Sequence, residues 1–228
     1  MINLYIDLDD VVFDFKTSFL NFVNESMDRE FNIPTNMDSW SIEKAYGVSE
    51  KLFNHFLLLY GEYGRFETQK FMPGASKMMG HFHLNPNDKF NIPHFITSRE
   101  PEAYIQTLRQ LNDIYHSWLA GSPTNCYHLY MANHKRQLKY NIIRELNRIN
   151  KQGIFIEDNP DYVNDVVKYC PGVVTFWFNY YHYNKSLCEP HYSVSGWDEI
   201  YEMLSSRSLS FDTLLKNSRH PGVQLEIE

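Results

Sequence analysis

INLYID (2–7) is a short run of apolar and β-favouring residues that ends abruptly in acids, continuing as LDD (8–10). Such a run reads as a buried parallel strand delivering its acids to the C-terminal edge of a sheet. Three later runs resemble it: NIPHFIT (91–97), GIFIED (153–158) and VVTFWF (173–178), with CYHLYM (126–131) a weaker fifth candidate. Helical patterns separate them. Residues 102–119 place Tyr104, Leu108, Leu111 and Tyr115 at spacings of three and four, and residues 135–149 do the same with Leu138, Ile142, Ile143 and Leu146. Strands alternating with helices of this length predict a Rossmann-like α/β fold, a parallel sheet flanked by helices.

Residues 16–71 break that alternation. They are aromatic, hold no convincing buried strand, and carry helix-like stretches at 14–27 and 49–61, the second with Leu52, Phe53, Phe56, Leu57 and Tyr60 on one broad face. The expectation is a small helical cap inserted after the first strand, with residues 1–15 and 72–205 forming the core. Met72-Pro73-Gly74-Ala75 then reopens the main fold, Pro73 being well placed to start a helix. Residues 206–228 read as a polar tail.

The chain has 228 residues, enough for one substantial core with an inserted subdomain. A formal charge of −7 argues against an electrostatic grip on extended nucleic acid, which requires a basic surface. Cys126, Cys170 and Cys188 form no CxxC pair and read as reduced thiols. With no secretory signal and no long apolar run legible, the expectation is a soluble cytoplasmic protein with no membrane partner.

Asp7, Asp9 and Asp10 crowd the end of the first strand, where like charges repel unless a cation or a proton-transfer role compensates. A second acidic cluster, Glu157, Asp158, Asp161 and Asp165, follows another strand candidate. In one parallel sheet both clusters share the C-terminal edge, where open α/β folds bind ligands. Converging carboxylates suit a hard divalent cation, and oxygen-only ligands favour Mg2+. Thr97-Ser98-Arg99 ends a third strand and offers hydroxyls and backbone N–H groups to phosphate oxygens. Lys135 begins a helix and would supply a cation between phosphate and carboxylates.

In that order, DLDDV (7–11), ITS (96–98), Lys135 and IFIEDNPD (154–161) resemble the four motifs of haloacid dehalogenase-like (HAD) phosphatases. Within that superfamily YIDLDDVVFDF (5–15), FMPGASKMM (71–79), FNYYHYNKS (178–186) and VSGWDEI (194–200) are most similar to segments of the 5′(3′)-deoxyribonucleotidases. The resemblance implies that Asp7 attacks phosphorus and that Asp9 exchanges the proton of the leaving oxygen and of water. It implies Mg2+ held by Asp7, the Asp9 carbonyl and Asp158, with Glu157 and Asp161 ordering ligands. Thr97 and Ser98 would bind the phosphoryl oxygens, with Arg99 beside them a further candidate for substrate binding, and Lys135 would neutralise the charge developing there. Three residues depart from the family pattern: Asp10 stands where glycine is usual, Glu157 replaces the commoner aspartate, and Arg99 replaces a small residue or proline.

The implied substrate is a small phosphate ester, a nucleoside monophosphate and in particular a deoxyribonucleotide, and a homodimer is typical of the related enzymes. Cap aromatics, Trp40, Phe56 and Tyr60 foremost, would stack on the base; Phe53, Tyr63 and Phe66 are further candidates, and the competing reading is that such rings form the cap's own core. Two alternatives stay open: a phosphatase acting on nucleic-acid ends or another small ester, and a catalytically silent nucleotide-binding protein on the same fold.

Overall fold

A computed structural model of the protein describes residues 1–27, 30–32, 41–84, 90–118, 126–132, 137–149, 152–183, 188–205 and 210–216. Six strands, β1 (Asn3–Ile6), β2 (His94–Thr97), β3 (His128–Met131), β4 (Gly153–Glu157), β5 (Val173–Phe178) and β6 (Tyr192–Val194), form one parallel sheet in the order β3-β2-β1-β4-β5-β6. All five strand candidates lie in it. The sixth escaped notice because Tyr192–Val194 is three residues long and pairs on one side only.

Side-chain alternation along the strands builds two cores. Leu4 and Ile6 face one side with Phe95, Ile154, Ile156 and Phe176, packed by Met78 and Met79 of α4 (Ala75–Leu84), Leu111 and Ile114 of α5 (Tyr104–Trp118), and Trp197 and Ile200 of α8 (Trp197–Ser205). Tyr5, Ile96 and Phe155 face the other, packed by Ile143 of α6 (Gln137–Asn147) and Val166 of α7 (Pro160–Tyr169). Apolar residues on both sides of each strand are what burial of a parallel sheet requires.

Within residues 16–71 the described elements are helical: α1 (Phe15–Ser26), α2 (Ile42–Tyr46), α3 (Glu50–Glu62) and a 3-10 turn at Arg65–Thr68. Asp14 caps α1 by accepting from the Thr17 N–H at 3.1 Å. These helices share a core of their own built on Phe19, Leu20, Phe22, Phe56, Tyr60 and Phe66. Near the other end, α9 (Phe211–Lys216) falls where a polar tail was expected. Its Phe211 and Leu214 are buried in the main core, so an amphipathic turn hides behind the polar average of that stretch. Among the described residues no helix is long and apolar enough to cross a membrane.

Because β2 and β4 flank β1 on opposite sides, the chain reverses its direction of sheet growth at β1. The ends of β1 and β4 therefore meet at a switch point, where open α/β sheets leave a crevice.

Candidate active site

Asp7 follows β1 directly, its N–H donating to the Ile156 carbonyl at 3.0 Å. The chain then curls tightly: the Leu8 carbonyl accepts from the N–H groups of Val12 (2.8 Å) and Phe13 (2.9 Å). Asp10 sits in that curl at φ +60°, the left-handed region that glycine enters freely and aspartate tolerates better than most residues. The departure from glycine thus keeps the backbone and adds a carboxylate.

Each of the three crowded acids has its own basic partner. Asp7 Oδ1 accepts from Lys139 Nζ at 2.7 Å. Asp9 is clamped by Arg99, with Nη2 at 2.8 Å and Nε at 2.9 Å. Asp10 pairs with Lys16, whose ammonium also reaches Asp158 Oδ2 at 3.2 Å. Lys139 bridges onward to Glu157 Oε2, again at 2.7 Å. All but Asp9 in this set are buried.

Asp7, Glu157 and Asp158 each bring an oxygen within 4.8 Å of the others. Burial holds the Asp7 carboxyl up at about 6; Lys139 opposes that rise, and the charges of Asp158 and Asp9 add to it. Burial likewise lifts Asp10 to about 7 against the pull of Lys16. Glu157 is pushed well above the carboxylate range by burial and by Asp7. Burial works against the charge on Lys139 too, but Asp7 and Glu157 outweigh it and raise its pKa. Fully ionised, the four buried carboxyls (Asp7, Asp10, Glu157, Asp158) would exceed the two buried ammonium groups (Lys16, Lys139) by two negative charges, which is why Asp7, Asp10 and Glu157 hold protons without a cation. A hard divalent cation on the oxygen-only set Asp7, Glu157 and Asp158 meets both the charge and the donor chemistry.

This cluster forms the floor of a cavity of about 790 Å³. Its outer walls are Phe15, Ile42, Phe53, Leu57, Leu58 and Phe66, with Asn54 and Gln106 among the polar groups. Ser98 also lines it and donates to the Tyr162 hydroxyl at 3.1 Å.

The structure brings together Asp7, Asp9, Ser98, Arg99, Glu157 and Asp158 of the residues expected from sequence. Thr97 is fully buried, and its hydroxyl accepts the Arg99 N–H at 3.2 Å. Asp161 is exposed in the first turn of α7. Phe56 and Tyr60 correct the expectation of base stacking. Both are buried in the helical layer, away from the cavity wall, with the Tyr60 hydroxyl donating to Ser18 Oγ at 2.7 Å. The alternative weighed for such rings, a core of their own, is the one observed. Tyr63 is 70% exposed and likewise off the wall, whereas Phe53 and Phe66 are on it. Trp40 and Lys135 lie outside the described residues.

Sequence reasoning missed Lys139 and Lys16, and the same signal marks both. Lys139 shares its helix stripe with Ile142, Ile143 and Leu146, and Lys16 with Phe19, Leu20 and Val23, each at offsets of three, four and seven. A lysine on an apolar stripe must be buried or snorkelling, and a buried one needs a carboxylate.

No protein-family model and no curated protein matches the chain. Solved structures do. The chain is similar to a HAD hydrolase from Bacillus subtilis bound to magnesium, with 15% identity, a TM-score of 0.57, and 90% of this chain and 99% of that one covered. It is also similar to L-2-haloacid dehalogenase from Xanthobacter autotrophicus, with 9% identity, a TM-score of 0.56, and 90% and 99% covered. A haloacid dehalogenase-like protein from Agrobacterium tumefaciens gives 12%, 0.56, 90% and 98%. At these identities the shared property is the fold: an α/β fold of the haloacid dehalogenase-like class.

Proposed function

We propose that the protein is a Mg2+-dependent phosphomonoesterase, with Asp7 as nucleophile and Asp9 as acid and base. One observation carries this reading. A buried aspartate at the end of the central strand, bonded to Lys139, sits with Glu157 and Asp158 at the floor of a cavity of substrate size.

Asp7, Glu157 and Asp158 would hold the cation, which when bound offsets the negative charge of a phosphate entering an acidic site. An Asp7 oxygen attacks phosphorus, the phosphorus–oxygen bond to the leaving group breaks, and Asp9 protonates the departing oxygen. Water then attacks the aspartyl-phosphate while Asp9 takes back its proton, which frees phosphate and Asp7. Lys139 holds Asp7 in place and adds a fixed positive charge beside the reacting centre. Ser98 lines the same cavity, and rotation of its hydroxyl away from Tyr162 would free its one O–H for a phosphoryl oxygen.

The proposed substrate is a nucleoside monophosphate, with deoxyribonucleotides favoured by the sequence resemblance. A cavity of about 790 Å³ accommodates a nucleotide, and Phe15, Phe53 and Phe66 offer ring surface for a base. Phosphate release from 5′- and 3′-nucleoside monophosphates, with and without Mg2+, tests the reading. A phosphorylated oligonucleotide and a 2-haloacid belong in the same panel. Mg2+-dependent turnover of monomers, lost in Asp7→Asn, is the expected result. Preference for the oligonucleotide, halide release from the haloacid, or no turnover of any ester by folded protein each overturns it.

A further inference from the structure

Arg99 stands on the cavity wall, yet none of its donors is left for a ligand. A guanidinium has five N–H bonds in a fixed fork. Here Nε points at Asp9, 2.9 Å from Oδ2 and 3.2 Å from Oδ1. Nη2 donates to Asp9 Oδ1 at 2.8 Å and to Gln69 Oε1 at 2.7 Å. Nη1 donates to Thr107 Oγ1 and Gln110 Oε1, both at 3.0 Å. The guanidinium is 4.6 Å from the centroid of Phe66 and 5.5 Å from that of Phe13. Holding a phosphate with Arg99 would mean stripping bonds from a side chain only 4% exposed.

These partners come from three segments. Asp9 and Phe13 belong to the curl after β1, Phe66 and Gln69 to the end of the helical insertion, and Thr107 and Gln110 to α5. Gln69 itself turns its Nε2 toward Asp9 Oδ1, at 3.4 Å. Oδ1 therefore receives Nη2, Nε and Gln69, while Oδ2 receives Nε alone and keeps a lone pair for a proton. We propose that Arg99 is a positioning residue: it fixes the Asp9 carboxylate for proton transfer and makes that orientation depend on how residues 66–69 are seated.

The proposal rests on the reading of Asp9 as acid and base, and on the chemistry of leaving groups. A nucleoside is a poor leaving group and needs the proton, whereas 4-nitrophenolate departs without much help. The test is the rate constant of leaving-group release in the first turnover, with its substrate Kd, for the best nucleoside monophosphate and for 4-nitrophenyl phosphate. Wild type, Arg99→Gln and Gln69→Leu are compared, each with Mg2+.

General acid catalysis is typically worth about 10²–10⁴-fold. Arg99→Gln should therefore slow the nucleotide about 10²-fold or more, slow 4-nitrophenyl phosphate about fivefold at most, and change Kd little. Gln69→Leu should show the same selectivity at smaller amplitude, which keeps the proposal open to test even where Arg99→Gln fails to fold. Equal slowing of both esters overturns it in favour of a purely structural role. A rise in Kd for both at an unchanged rate constant assigns Arg99 to phosphate binding instead. Absence of release by wild type is a separate failure, that of the phosphatase reading, and the proposal falls with it.

Discussion

Lys139 Nζ stands 2.7 Å from Asp7 Oδ1, and Lys139 lies four residues beyond Lys135 in the sequence. The pair is almost wholly buried, so the ammonium is the counter-charge that lets Asp7, the proposed nucleophile, ionise. Lys139→Met should reduce turnover by about 10²-fold or more, the usual scale for removing one charge-stabilising donor. Lys135→Met is the control. Phosphate release by the two variants decides the matter, and a larger loss at position 135 would return the role to Lys135.

Asp10, Lys16 and Asp158 give a stability prediction. Lys16→Met leaves two buried carboxylates without their shared ammonium, a change that typically costs about 3–5 kcal/mol. Adding Asp10→Gly removes one stranded charge and places glycine at φ +60°, where its freedom is an advantage. The double variant should recover at least half of the loss by denaturant unfolding. A double variant less stable than Lys16→Met would show that Asp10 contributes through something other than this ion pair.

The raised carboxyls predict proton-linked metal binding. Asp7 and Asp10, ordinarily near 3.8, lie at about 6 and about 7 in the folded protein, and Glu157 is raised as well. Between 3.8 and those values the folded chain holds protons that the unfolded chain has released. Without metal, stability therefore falls as pH rises through that window. A divalent cation favours the ionised forms and displaces the protons. Calorimetry in buffers of differing ionisation enthalpy should find proton release on Mg2+ binding near pH 6, with the share from Asp7 and Asp10 declining as pH rises past their values of about 6 and about 7. Affinity independent of pH across that range would remove the carboxylates as ligands.

How legible was this in the sequence? The strands were readable because burial on both faces leaves unbroken apolar runs, and the acids after β1 and β4 stand out at their ends. The edge strand Tyr192–Val194 was too short to rise above its surroundings. The site's cations were harder to see. Lys16 and Lys139 belong to it because each is buried on the apolar stripe of its helix, α1 packing that stripe within the helical layer and α6 against the sheet, and helix-start position alone pointed to Lys135 instead. Arg99 was visible, but not its partners. Thr107 and Gln110 interrupt the inward side of α5, where Leu108 and Tyr104 fitted the helical period better while being the more exposed. Periodicity reports which face could be apolar, and here a buried guanidinium draws polar groups to that face.

Cap aromatics separate into two sets with different expected effects. Phe53 lines the cavity, whereas Phe56 and Tyr60 pack inside the helical layer. Stacking on a base contributes about 1–3 kcal/mol, so Phe53→Ala should raise KM for nucleotides about tenfold and change it little for a small alkyl phosphate. Phe56→Ala should chiefly lower thermal stability, as loss of a buried ring does. Equal KM effects of Phe53→Ala on both substrates would argue that the ring shapes the cavity without touching a base.

His94 offers a pH test away from the site. Its ring stacks on His128 with centroids 4.8 Å apart, and among the described residues its buried Nδ1 has no hydrogen-bond partner. Burial, with the charge of His128 second, pushes its pKa down from 6.5 to about 4. As pH falls from 6.5 toward 4, the unfolded chain takes up a proton that the folded chain refuses, so stability is lost across that window. His94→Phe keeps a stacked ring of similar size and removes the titration. Urea unfolding at a series of pH values should then show a shallower acid limb for the variant than for the wild type. The raised carboxyls act with the opposite sign over part of the same range, but they are present in both proteins and cancel in the difference. Parallel curves would mean that His94 gains its proton in the folded state as readily as in the unfolded one.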